Sequence, residues 1–286
     1  MSMEGPGHEP LPGQVPGIDA KAVPASGAEG PAASGLPAVA PPGGILAQGL
    51  TKIFVDRSRG QVAAARDISF VCRPGEVFGL LGPNGAGKTT TLRMLSTVLR
   101  PTSGTAIIAG HVVAGDPLGV RRSIGFLSGN TGLYARLTPR ETLKYFGRLH
   151  RIPADILDRR IEELLDLFDI RRHADMRCER LSTGTRQKTS IARAIIHDPP
   201  VLILDEPTLG LDILVASALV RFIAECRSRG KCVIFSTHIL SEAEKLCDRI
   251  GVIHGGEIRA VGTLEELRSR TGKHFLEDVF IALVGA

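Results

Sequence analysis

No stretch of this 286-residue chain approaches the ~20 continuous apolar residues that a helix needs to cross a bilayer. The N-terminus lacks a basic segment followed by an apolar core, so it does not read as a secretory signal, and the protein is expected to stay in the cytoplasm. Tryptophan is absent and aromatic residues reach only 4%. The five cysteines (Cys72, Cys178, Cys226, Cys232 and Cys247) show no C-x-x-C pair and no metal-ligand spacing. They are expected to be reduced and mostly buried, the alternative being a metal site. Lys and Arg form no tract. The net charge of +5 and pI near 9.1 therefore suit an anionic partner only mildly, and no nucleic acid is expected. What remains, 43% hydrophobic and 23% charged residues, is ordinary for a globular protein of one large domain or two small ones.

Residues 1 to about 44 are rich in Pro, Gly, Ala and Ser without apolar periodicity. Such a segment buries too little to offset its ordering entropy and reads as a disordered tail, or else as a partner-binding arm. From about 45 onward, Ile45 to Phe54 and Ala63 to Val71 read as strands around the polar turn Asp56-Arg57-Ser58-Arg59-Gly60. Gly104 reads as a break in the chain, followed by a strand from Thr105 to Ala109. Ile124 to Leu127 is a short apolar run that leads into the loop Ser128-Gly129-Asn130-Thr131-Gly132.

Thr138-Pro139-Arg140-Glu141 is a capping box with Pro at the first helical position. Leu157, Ile161, Leu164, Leu165 and Phe168 then mark one face of a second helix. With a third helix that opens near Ser182, these make an inserted helical lobe at about 137–197. Strands at 201–206 and 232–236 alternate with helices, a hairpin turns at Gly255-Gly256, and two short helices close the chain at about 263–284. Buried strands alternating with helices give an α/β fold with a mostly parallel core sheet, preceded by an N-terminal antiparallel β part.

The sharpest signal is Gly82-Pro83-Asn84-Gly85-Ala86-Gly87-Lys88-Thr89, which fits G-x-x-x-x-G-K-[ST] at every fixed position, between an apolar strand and a helix. Glycines let successive N–H groups point inward at phosphate oxygens. The helix that starts there adds the positive end of its dipole. Lys88 supplies a cation to the β- and γ-phosphates, and the Thr89 hydroxyl can ligate Mg²⁺. The competing reading is a chance glycine turn. Val201-Leu202-Ile203-Leu204-Asp205-Glu206 is a buried strand ending in two acids. Asp205 can hold Mg²⁺ and Glu206 can accept a proton from an attacking water; otherwise the pair is a helix cap or a solvated turn. His238, past the end of another strand, lies at the edge where ligands gather, and either contacts a γ-phosphate or is merely structural. Phe54 either packs in the core or stacks on an adenine ring.

Taken in order, Gly82 to Thr89, Leu181-Ser182-Thr183-Gly184, Val201 to Glu206, Leu211-Asp212 and His238 resemble the ATP-binding cassette of ABC transporters over about residues 46 to 270. The resemblance implies a P-loop nucleotide-binding domain over 45–286. In it Phe54 stacks on adenine, the loop Gly82, Pro83, Asn84, Gly85, Ala86, Gly87 with Thr90 cradles phosphate, and Lys88, Thr89 and Asp205 hold MgATP. Glu206 takes the place of the base and His238 that of the switch histidine. Ser182 and Gly184 match a signature loop that reaches the nucleotide bound by a second copy of the cassette, and Leu211-Asp212 a loop that communicates across the dimer. The partners implied are that second copy and polytopic membrane permease subunits, with the chain peripheral on the inner face of the cell membrane.

Two positions depart from the family pattern: Thr183 stands where Gly is usual, and Gly129 where Gln is usual, with Ser128 or Asn130 as candidate replacements. The stretches Gly125 to Glu141 and Thr208 to Asp212 are similar to the sodium-exporting ABC ATPases of the NatA type, which implies export. The competing classes are a soluble cassette ATPase acting on ribosomes or DNA and a low-turnover regulatory subunit. An absent second cassette speaks against the first, and intact Glu206 and His238 against the second.

Overall fold

The computed structural model describes residues 39–56, 60–128, 132–211 and 213–285. The expectations placed on residues 1–38, on Arg57, Ser58 and Arg59, and on Gly129, Asn130 and Asp212 lie outside the described residues. The chain enters as β1 (Ile45–Asp56), pairs antiparallel with β2 (Gly60–Cys72), and reaches β3 (Val77–Leu81), an apolar strand buried along its whole length. Helix α1 (Lys88–Leu95) follows, then β4 (Ser103–Ile108) and β5 (His111–Val112). Strands β2, β1, β4 and β5 lie side by side in that order as a four-stranded antiparallel sheet.

Gly104 does not break the chain ahead of a strand; β4 runs through it. The reason is a close crossing of two backbones. Gly104 has φ +79°, and a Cβ there would lie 2.1 Å from the Gly49 carbonyl oxygen, at the register shift of β1 against β4 between Gln48 and Thr51. Gly104→Ala is therefore expected to cost roughly 2–4 kcal/mol of stability, read as a lower urea midpoint with an unchanged slope.

Helix α2 (Pro117–Ser123) was not foreseen, although its start is legible. Asp116 caps it by accepting the Gly119 N–H at 2.9 Å, and Pro117 sits in its first turn. The apolar run Ile124–Leu127 is itself a strand, β6. The lobe that follows comprises α3 (Pro139–Leu149), α4 (Ala154–Leu167) and α5 (Thr183–Ile195). Helix α3 starts at the Thr138/Glu141 capping box, both reciprocal bonds being present. Helix α4 buries Leu157, Ile161, Leu164 and Leu165 on one face. His150, just past α3, stacks on His197 with ring centroids 3.6 Å apart, and burial lowers the His197 pKa to about 4.

The remaining elements are β7 (Val201–Asp205), α6 (Ile213–Ser228), β8 (Cys232–Thr237), α7 (Leu240–Leu246), β9 (Arg249–His254), β10 (Glu257–Gly262), α8 (Leu264–Thr271) and α9 (Leu276–Val284). The second sheet has the order β10-β9-β3-β8-β7-β6 and is parallel except for the β9–β10 hairpin. Its central strands are covered on both faces, which is why they read as continuous apolar runs. Its register sets Leu81 beside Thr237 and Asp205 beside Ser236, so the C-terminal ends of β3, β7 and β8 converge at one edge.

All five cysteines are free thiols; four are buried and Cys247 is half-buried. Cys72 and Cys232 bring their sulfurs to 3.1 Å where the end of β2 meets the start of β8. Burial raises both the Cys72 and the Cys247 pKa, and pushes the Cys226 thiol up to about 12.

Candidate active site

The convergent strand ends are bridged by the loop between β3 and α1. Gly87 stands at the helix N-cap with φ +103°, where a Cβ would lie 2.5 Å from the Ala64 carbonyl oxygen; at Gly82 a Cβ would lie 2.2 Å from that of Ile253. Only glycine satisfies these two positions, because one demands a left-handed backbone and both demand close approach to other main chain. The loop lines an open cavity of about 470 Å³ together with Ala64, Asn84, Gly85, Ala86, Lys88, Thr89, Thr90 and Glu206.

Lys88 opens α1 and is only 4% exposed. Its Nζ donates to the carbonyls of Gly82 at 2.7 Å and Pro83 at 3.1 Å, and lies 3.4 Å from Glu206 Oε1. The cation is thus held inside the cradle by the loop it serves. Asp205, at the end of β7, is buried; its Oδ1 accepts from Thr89 Oγ1 at 3.0 Å and from Ser236 Oγ at 2.7 Å. A hydroxyl and a carboxylate held side by side are hard oxygen donors of the kind Mg²⁺ selects.

Glu206 has φ +46°, unusual for a residue with a side chain. Its N–H donates to Ser236 Oγ at 3.0 Å, which holds the strained turn in place. Its Oε1 meets both Lys88 and, at 3.2 Å, His238 Nδ1. His238, exposed just past β8, is thus in contact with Glu206 rather than isolated.

The structure does not bring every candidate to this cavity. Phe54 is 41% exposed on β1, with Lys52 Nζ 5.4 Å from its ring centroid, so it does not pack in the core. Ser182 is exposed and caps α5, accepting the Thr185 N–H at 3.2 Å; neither it nor Gly184 lines the cavity. Ser128 is buried. Sequence reasoning missed Ser236, the hydroxyl that touches both acids. Its only signal was its place at the end of a buried strand, two residues before His238.

The model of the family described as ABC transporter matches residues 65–209. The ABC transporter ATP-binding protein NatA of Bacillus subtilis is 42% identical over 230 residues, 80% of this chain and 93% of that protein. The doxorubicin resistance ATP-binding protein DrrA of Mycobacterium tuberculosis is 40% identical over 235 residues, 82% of this chain and 70% of that protein. Among solved structures, a dimeric ATP-binding cassette in a post-hydrolysis state, bound to ADP and Pi, superposes with a TM-score of 0.71 at 25% identity. That match covers 77% of this chain and 98% of the other.

Proposed function

Because the chain belongs to the ABC transporter family, as an ATP-hydrolysing subunit of exporter-type transporters, we propose that it pairs with a second copy of itself and powers sodium efflux through separate membrane permease subunits. The observation that carries the reading is the contact of Glu206 with both Lys88 and His238 at one sheet edge, with Asp205 joined to Thr89 beside the glycine loop. This is the charge arrangement that triphosphate hydrolysis needs.

In this reading the N–H groups at the start of α1, which have no partner within the helix, and the Lys88 cation bind the phosphates, and Thr90 closes the cradle. Thr89 and Asp205 would hold Mg²⁺, which would supply positive charge against the phosphates. Glu206 takes the proton of the attacking water, and His238 steadies Glu206 and the γ-phosphate. Lys88 exchanges its Glu206 contact for phosphate, which frees the carboxylate to act as base. Phe54, exposed on the antiparallel sheet, stacks on adenine. Ser182 and Gly184, which lie outside their own cavity, complete the site of the partner copy. The chain divides at about residue 44 into a tail and a nucleotide-binding domain that carries the helical lobe at about 137–197. No helix of the described residues is long and apolar enough to cross a membrane; in this reading the chain works on the inner face through those subunits.

The reading is tested by isolating the chain with whatever polytopic membrane protein accompanies it and placing the complex in vesicles. ATP-dependent sodium flux is the expected result. ATP turnover with no sodium flux removes sodium as the cargo, and isolation without any membrane protein removes the efflux reading.

A further inference from the structure

Glu242, in the first turn of α7, has no part in the site described above, yet two hydroxyls converge on its carboxylate. Thr208 Oγ1 donates to Oε1 at 2.5 Å, and Thr237 Oγ1 donates to Oε2 at 2.6 Å. Both threonines are buried. They come from two different elements, a turn and the end of β8. Thr208 stands two residues after Glu206, in a turn where the Leu209 N–H donates to the Glu206 carbonyl at 3.2 Å and the Leu211 N–H to that of Thr208 at 3.1 Å. Thr237 immediately precedes His238, and its carbonyl accepts the Gly82 N–H of the phosphate loop at 3.3 Å. Its hydroxyl also accepts the Ile239 N–H at 3.0 Å, which leaves one direction for its own proton, toward Glu242.

The geometry points to Glu242 as a positioning residue that clamps the turn after Glu206 to the strand end that carries His238. This inference rests on the proposed function. Hydroxyl-to-carboxylate bonds are charge-assisted and roughly twice as strong as neutral ones, and one carboxylate receiving two of them fixes a turn and a strand end against a single helix. The 3.2 Å contact between Glu206 and His238 is the part of the site that this clamp governs, since each partner lies within two residues of a clamped threonine. The unit reaches further: Gln187 Nε2, on α5, donates to the Pro207 carbonyl at 3.0 Å, next to Thr208. The turn after Glu206 is thereby joined to the helix that Ser182 caps.

The test compares ATP turnover of the full chain with that of Thr208→Val, Glu242→Gln, the two combined, and Thr208→Ser. Valine keeps the shape and removes the donor; glutamine keeps the length and has one acceptor oxygen where the carboxylate has two. Each single change should lower kcat about tenfold while KM for MgATP stays within about twofold and Tm falls by no more than several degrees. The double variant should be no worse than the single ones, and Thr208→Ser should restore the parent rate. Parent-like kcat in both single variants overturns the clamp, as do fully additive losses or a Ser variant that fails to recover. A parent chain with no turnover, even beside its membrane partner, overturns the proposed function and the clamp with it.

Discussion

In the Glu206→Gln variant ATP hydrolysis is expected to fall at least about a hundredfold, the loss typical of removing a general base, while nucleotide binding persists. The argument rests on what the substitution leaves alone. The strained backbone at φ +46° is held through the Glu206 N–H to Ser236 Oγ, a bond that the amide side chain does not disturb. Length and shape are kept, so His238 and Lys88 retain a neighbouring oxygen. The one property removed is the ability to take a proton. Loss of the negative charge also eases repulsion with a γ-phosphate bound at Lys88, so ATP should remain in place and hold two copies together. Turnover measured beside light scattering decides it. A slow variant that elutes as an ATP-bound dimer supports Glu206 as the base, whereas a variant working at the parent rate refutes that role.

Lys88→Ala should weaken MgATP binding by at least about thirtyfold, since truncating one partner of a buried charge pair costs at least ~2 kcal/mol and usually more. The structure explains why so much hangs on one side chain. Lys88 is 4% exposed and is already fixed by the carbonyls of Gly82 and Pro83, so it meets phosphate with little loss of rotamer freedom. Its removal also leaves those two carbonyls facing an anion without a cation between them. Titration with a fluorescent ATP analogue reads the effect, and circular dichroism checks that the fold persists. Affinity equal to the parent's would mean that phosphate does not bind in this loop.

Local features were legible in the sequence because their physics is local. The glycine loop, the Thr138/Glu141 capping box and the apolar strands β3, β7 and β8 each depend on residues within one turn or one strand. Gly104 misled because a glycine in a strand signals either a break or a close approach, and only the position of Gly49 decides which. Helix α2 was missed for its brevity: seven residues carry little periodicity, and the Asp116-Pro117 cap was its one sign. Phe54 was ambiguous because β1 alternates between faces, and the pairing partners that leave it exposed are set by tertiary register. Ser236, Thr208 and Glu242 escaped for a related reason. Ser236 meets Asp205 across 31 residues and Thr208 meets Glu242 across 34, contacts that exist only because β7 and β8 pair in one register and α7 packs beside them. Spacing within the chain carries no trace of that.

The placement of the five cysteines has a practical consequence. A thiol must be exposed and ionised before an alkylating reagent captures it, and burial here denies both to Cys72, Cys178 and Cys226. The sulfurs are also spread over the molecule. Cys178 sits beside Thr142 of α3, Cys72 and Cys232 share the junction of the two sheets, Cys226 lies on α6, and Cys247 follows α7. The order in which a reagent marks them, followed by mass spectrometry, therefore reports which part of the protein opens first. The chain carries its own set of unfolding reporters, placed so that the helical lobe and the nucleotide-binding core can be timed separately without introducing a single label.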